Sequence, residues 1–173
     1  MPLLADATQV AAMIERMSAW ARGLRPGETG SDNLALVGVR SRGDVIACRV
    51  GETSGIGDVG TLDITLYRDD LSEASSQPVV RTTEVPFAVD GRDVVLIDDV
   101  LMSGRSVRAA LSVLMDLGRP RRVWLAVLVD RGEATRELPI AADFAGMTYA
   151  GVQGNVAVRL TPTDDRDAVV LEA

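Results

Sequence analysis

The run Val94-Val95-Leu96-Ile97-Asp98-Asp99-Val100-Leu101-Met102-Ser103-Gly104-Arg105-Ser106 constrains this chain more than any other stretch, because it joins two opposed chemistries at one point of a fold. Val94 to Ile97 form an apolar run without alternation, the pattern of a strand buried on both faces in a parallel sheet covered by helices. Asp98 and Asp99 follow at the C-terminal end of that strand, where open α/β sheets bind ligands. Beyond them Val107, Ala110, Leu111, Leu114 and Met115 recur at helical spacing, so a helix is expected from about Ser106 to Leu117. The unpaired N–H groups and positive dipole end of such a helix favour an anion; Gly104 admits close backbone approach, and Ser103 and Ser106 add hydroxyls. A phosphate fits this turn, whereas the upstream carboxylates suit sugar hydroxyls or a divalent cation. A ribose 5-phosphate carries both kinds of group. The plainer alternative is that the acids merely end a strand and Ser106 merely caps a helix.

Composition removes whole classes of chemistry. The chain has no histidine, and all 18 of its basic residues are arginine. Histidine-assisted serine or cysteine catalysis, histidine-ligated metals and lysine Schiff bases are therefore excluded. Carboxylate, guanidinium, hydroxyl and backbone groups remain, a set suited to phosphate and Mg²⁺ binding. No Gly-x-x-x-x-Gly-Lys loop occurs, so nucleoside triphosphate hydrolysis is not indicated. A length of 173 residues with 47% hydrophobic content supports one domain, 1–173, with a sizeable core. No signal-peptide pattern opens the sequence and no apolar run is long enough to cross a bilayer, so a cytoplasmic protein without membrane partners is expected. Cys48 is the single cysteine, and within Val45-Ile46-Ala47-Cys48 it is expected to be buried packing. A net charge of −7 argues against a broad nucleic-acid surface, though a local basic patch can survive it.

Asp6-Ala7-Thr8-Gln9 resembles a capping box, and Val10, Met13, Ile14, Met17, Ala21 and Leu24 define the apolar face of a first helix. Leu34 to Val39 read as another buried parallel strand, ending in Arg40-Ser41-Arg42-Gly43, where guanidinium and N–H donors can meet a second anion or simply be solvated. Leu62, Ile64 and Leu66 alternate with polar residues as a half-buried strand does. The segment from Leu71 to Thr83 is expected to be a mobile loop, and beside a sugar-phosphate site such a loop is a candidate lid. Val123 to Val129 form a further strand ending in Asp130-Arg131-Gly132; Arg131 can face an anion or pair with Asp130. Val156 to Leu160 and Ala168 to Leu171 are expected to form a terminal hairpin.

The acidic pair, short spacer and Ser-Gly-Arg-Ser resemble the phosphoribosyl pyrophosphate motif of type I phosphoribosyltransferases. Four blocks, residues 33–43, 60–71, 94–117 and 125–139, resemble one family among them: the bifunctional pyrimidine-operon regulators and uracil phosphoribosyltransferases. The resemblance implies an α/β type I phosphoribosyltransferase fold, with a mostly parallel sheet flanked by helices, a mobile loop and a small C-terminal hood. It implies conversion of uracil and phosphoribosyl pyrophosphate to UMP and pyrophosphate with Mg²⁺, regulation through pyrimidine leader mRNA, and a homo-oligomer, dimer or higher. Carried onto this chain, Asp98 and Asp99 meet the ribose hydroxyls directly or through Mg²⁺, and Ser103, Gly104, Arg105 and Ser106 hold the 5-phosphate. Val100, Leu101 and Met102 line the same substrate site; Ser41, Arg42 and Arg131 face pyrophosphate; Arg68 arrives with the mobile segment as a third catalytic group. Purine-specific relatives place a carboxylate where Met102 stands, so a pyrimidine is expected. The family's histidine near Ala19 and its lysines are absent, so RNA contact is expected to be weaker and to rest on Arg16, Arg22, Arg25, Arg108, Arg119, Arg121 and Arg122.

Overall fold

The computed structural model describes residues 1–24, 33–68, 82–151 and 154–172. In chain order the elements are β1 (Leu3–Ala5), α1 (Ala7–Gly23), β2 (Leu34–Val39), α2 (Gly43–Ser54), β3 (Val59–Leu62), β4 (Asp93–Leu101), α3 (Arg105–Leu117), β5 (Arg122–Asp130), β6 (Phe144–Thr148), β7 (Asn155–Arg159) and β8 (Ala168–Glu172). Five strands form one sheet in the order β3-β2-β4-β5-β6, parallel at every pairing. The three others form a small antiparallel sheet, β1-β8-β7.

Helices on both faces explain the unbroken apolar runs. Leu36, Val95, Ile97 and Leu128 point to the side covered by α1 and α2, while Val37, Leu96 and Val127 point to α3, against Val107, Ala110 and Leu114. Alternation is present in direction, but both directions are apolar. The capping box on α1 forms as expected: Gln9 N–H donates to Asp6 Oδ1 and Asp6 N–H to Gln9 Oε1, both at 2.9 Å. Val10, Met13, Ile14, Met17 and Ala21 then face inward.

Several expectations are corrected. The third strand ends at Leu62, because the Asp63 carboxylate accepts the Thr65 N–H at 2.9 Å and turns the chain into a 3-10 turn, Thr65–Tyr67, leaving Leu66 69% exposed. Cys48 is exposed, since α2 buries Ile46, Ala47 and Val50 and its spacing turns Cys48 outward. β6 is an additional edge strand beside β5. The terminal hairpin is present as β7 and β8, and β1 adds to it from the other end of the chain. The expected lid, 71 to 83, lies outside the described residues except for Thr82 and Thr83. Among the described residues no helix is long and apolar enough to cross a membrane.

Candidate active site

The turns after β2, β4 and β5 meet at the C-terminal edge of the parallel sheet, with β7 of the small sheet facing them. Two adjoining cavities, of about 430 and 360 Å³, occupy this edge and share Asp99, Asn155 and Val156, so they form one cleft. The larger end is lined by Arg68, Val100, Met102, Ser103, Arg105 and Ser106; the smaller by Arg42, Arg159, Asp164 and Glu172.

Asp98, 6% exposed, closes the continuous buried run of β4, and Asp99 beside it is half-buried. The Asp98 carboxylate accepts the Asp99 N–H at 2.9 Å, and the Asp99 carboxylate accepts the Val100 N–H at 2.8 Å. Burial, and then the Asp99 charge, push Asp98 well above the usual carboxylate range. Burial also raises Asp99, against the opposing Val100 N–H, its hydrogen bond with Asp98 and the Arg42 charge. The deeper acid is thus the better proton holder, and the outer one the better anion.

Downstream the chain turns through Met102 and Ser103 to Gly104, whose φ of 91° suits glycine, and α3 begins at Arg105. The Ser103 hydroxyl accepts the Arg105 N–H at 3.3 Å, and Gly104 at the N-cap brings no side chain of its own to the helix start, which opens on the cleft. The turn is braced from outside: Ser103 O accepts N–H groups of Glu137 and Leu138 at 3.0 and 3.1 Å, and Met102 O accepts from Arg136. Arg105 also lines the cleft, but its Nε donates to Glu137 at 2.6 Å. Glu137 and Arg136 lay within a resembling block, yet their bracing role has no local sequence signal.

On the other side of the acids, Ser41 and Arg42 occupy the turn from β2 to α2, and the Arg40–Ser41 peptide is cis. This turn sits hard against β4: a Cβ on Gly43 would lie 2.5 Å from the Ile97 carbonyl oxygen. Arg42 does not stand free. Its Nε and Nη2 donate to the two carboxylate oxygens of Asp164 at 2.9 and 2.8 Å, which raises Arg42 and lowers Asp164. Arg68 is exposed at the rim, near enough for its charge to favour ionised Asp98. The preceding Tyr67 hydroxyl donates to Asp116 on α3 at 2.6 Å, which anchors the root of that segment.

Arg131 is where the structure departs most from expectation. It is 2% exposed and donates to the carbonyls of Gly151 and Gly154 at 2.7 and 3.1 Å, so its guanidinium serves the hood and is not presented to an anion in the cleft. Nor does it pair with Asp130, which instead accepts from Arg136 at 2.6 Å and from the Gly132 N–H at 2.8 Å. Asn155, Val156 and Asp164 were missed as site residues, although the resemblance implied a small C-terminal hood there.

An acidic pair near the end of a buried parallel strand, an open helix start six residues beyond Asp99, and a hood across the cleft define a phosphoribosyltransferase. The comparisons with known proteins agree. Residues 4–146 match the phosphoribosyl transferase domain family. The bifunctional protein PyrR of Pelotomaculum thermopropionicum is 52% identical over 148 residues, covering 82% of this chain and 81% of its own. That of Deinococcus deserti is 51% identical over 148 residues, covering 82% and 80%. The chain belongs to this family. Among solved structures, a hypoxanthine phosphoribosyltransferase from Staphylococcus aureus superposes with a TM-score of 0.72 at 12% identity, covering 99% of this chain and 92% of its own. The enzyme from Trypanosoma cruzi gives 0.67 at 19%, covering 98% and 94%. These likenesses concern the fold.

Proposed function

We propose that this chain, acting as one domain, transfers the phosphoribosyl group of phosphoribosyl pyrophosphate to uracil, yielding UMP and pyrophosphate. The observation that carries the reading is the single cleft that Asp99 lines between the open α3 start and the Arg42 turn, with Asp98 buried directly behind it. The N–H groups and hydroxyls from Ser103 to Ser106 bind the 5-phosphate; the acids bind ribose hydroxyls; Ser41 and Arg42 meet pyrophosphate. Arg68 adds positive charge at the rim where the leaving group separates. Met102, 46% exposed in the cleft, offers no proton acceptor to a purine ring nitrogen and supports a pyrimidine.

Mg²⁺ fits this donor set. Among the described residues no group of three or more metal-type side chains is assembled; the cleft there offers the Asp98–Asp99 pair, with Asp99 the better-placed oxygen donor. Mg²⁺ commonly takes one or two carboxylates and fills its shell with substrate oxygens and water, and when bound it neutralises charge on the departing pyrophosphate. A nucleobase panel with phosphoribosyl pyrophosphate and Mg²⁺ tests the reading: uracil is expected to be converted to UMP, and a preference for hypoxanthine or guanine would refute it. A cytoplasmic homo-oligomer is consistent with the same family.

A second activity is favoured by the word bifunctional in the relatives' names. RNA binding would fall to arginines near the opposite edge of the sheet, several already engaged: Arg22 on the Thr53 carbonyl, Arg121 on Asp93, and Arg122 4.7 Å above the Trp124 ring. Arg25 lies outside the described residues. Filter binding to a pyrimidine leader RNA across a salt series is expected to show weak binding with a steep salt slope; tight, UMP-enhanced binding at physiological salt would overturn this and restore the bifunctional reading.

A further inference from the structure

We propose that Arg131 is the positioning residue of the base-side wall of the cleft, setting how far β7 stands from Met102. The inference rests on the transferase reading for the identity of the ligand, and on four observations for the role of the side chain. First, the guanidinium is buried, yet among the described residues no carboxylate pairs with it, and its Nε has no hydrogen-bond partner. A buried cation so placed costs stability unless dipoles and aromatic faces compensate. Second, the compensation comes from one short segment: Gly151 O, Gly154 O and the Tyr149 ring, whose centroid is 5.5 Å from the guanidinium carbon. Third, the next two residues, Asn155 and Val156, begin β7 and are the hood residues common to both ends of the cleft. Fourth, the Arg131 backbone is fixed to the opposite wall, its N–H donating to Leu101 O at 2.9 Å.

A planar fork therefore spans from the end of β4 and β5 to two carbonyls that bracket the approach to β7. The guanidinium reaches the two carbonyls through two separate nitrogens, Nη1 and Nη2, held in a rigid fork that an ammonium at the end of a flexible stem lacks. The phosphate turn, Ser103 to Ser106, is braced separately through Glu137 and Leu138. Arg131 should accordingly govern recognition of the base far more than recognition of the phosphate, whose turn is held by its own braces.

The test compares wild type, Arg131→Lys and Arg131→Met by titration calorimetry with UMP and with ribose 5-phosphate, after circular dichroism has checked folding. For Arg131→Lys, UMP affinity is expected to fall about tenfold while ribose 5-phosphate stays within about twofold, with Arg131→Met worse than Lys on UMP alone. Amide exchange at Asn155 and Val156 should quicken in the same order. Should Arg131→Met fail to fold, the Lys variant and its exchange rates still decide. Equal weakening of both ligands, or unchanged UMP affinity with faster exchange at Asn155, overturns the proposal. A wild-type protein that transfers to another base refutes only the uracil reading, and the comparison is then made on that base's nucleotide.

Discussion

Gly43→Ala tests whether the Arg42 turn must be seated against β4 for the site to work. A methyl group there would lie 2.5 Å from Ile97 O, 3.2 Å from Asp98 Cα and 3.3 Å from Ile97 C, all backbone atoms that cannot swing aside. Carbon-to-oxygen contacts close no nearer than about 3.3 Å, so the start of α2 must retreat by roughly 0.8 Å. Overpacking of this kind costs about 1–3 kcal/mol. For a chain of this size that is a fall in Tm of about 2–12 °C. The retreat carries Ser41 and Arg42 away from Asp98, and a displacement near 1 Å in a positioned site can cost about 100-fold in rate. Scanning calorimetry and steady-state kinetics with varied phosphoribosyl pyrophosphate supply both readouts, with Gly57→Ala as control, since nothing lies within 4 Å of a Cβ there. A Gly43→Ala protein with wild-type Tm and kcat/KM would refute the reasoning.

Replacing Asp98 and Asp99 together by Asn is expected to lower kcat/KM by roughly 100-fold or more while the fold survives. Because burial raises Asp98, its ionisation opposes folding, so Asp98→Asn alone should match or exceed wild-type Tm at neutral pH and flatten the fall in stability as pH rises above about 4; a lower Tm would contradict the assignment. Gly104→Val forces a branched side chain to φ 91°, with a strain of about 1–2 kcal/mol, and calorimetry should find weaker binding of ribose 5-phosphate. Arg49 holds Asp167 down to about 2, so that pair stabilises the fold above about pH 4 and is lost as pH falls toward 2. After allowance for solvent screening it contributes about 1–2 kcal/mol, which urea melts of Asp167→Asn should lose at pH 6 but not at pH 2.

Much of this was written locally. The strand from Val94 and the helix expected from about Ser106 follow from periodicity, although the strand runs on through the acids to Leu101 and the helix starts one residue earlier, and the capping box at Asp6 follows from four consecutive residues. What was not local was not legible. Arg42 and Arg131 carry the same guanidinium at the same kind of strand end, yet one joins Asp164 beside the cleft and the other is buried under Gly151 and Gly154. Their partners lie more than 100 and about 20 residues away, and no period or propensity encodes which carbonyl or carboxylate arrives. β6 was obscured for a related reason: as a half-buried edge strand containing Gly146, it lacks the branched run that marks β4.

The small sheet takes β1 from the start of the sequence and β7 and β8 from its end, with Leu3 registered opposite Val170 and Ala5 opposite Val169. A chain emerging from the ribosome therefore completes its phosphate turn long before it can close the wall across it. The same geometry gives the amino terminus leverage: an extension fused ahead of Leu3 pulls on an edge strand of the hood, and any change it makes should appear in base selection sooner than in phosphate affinity.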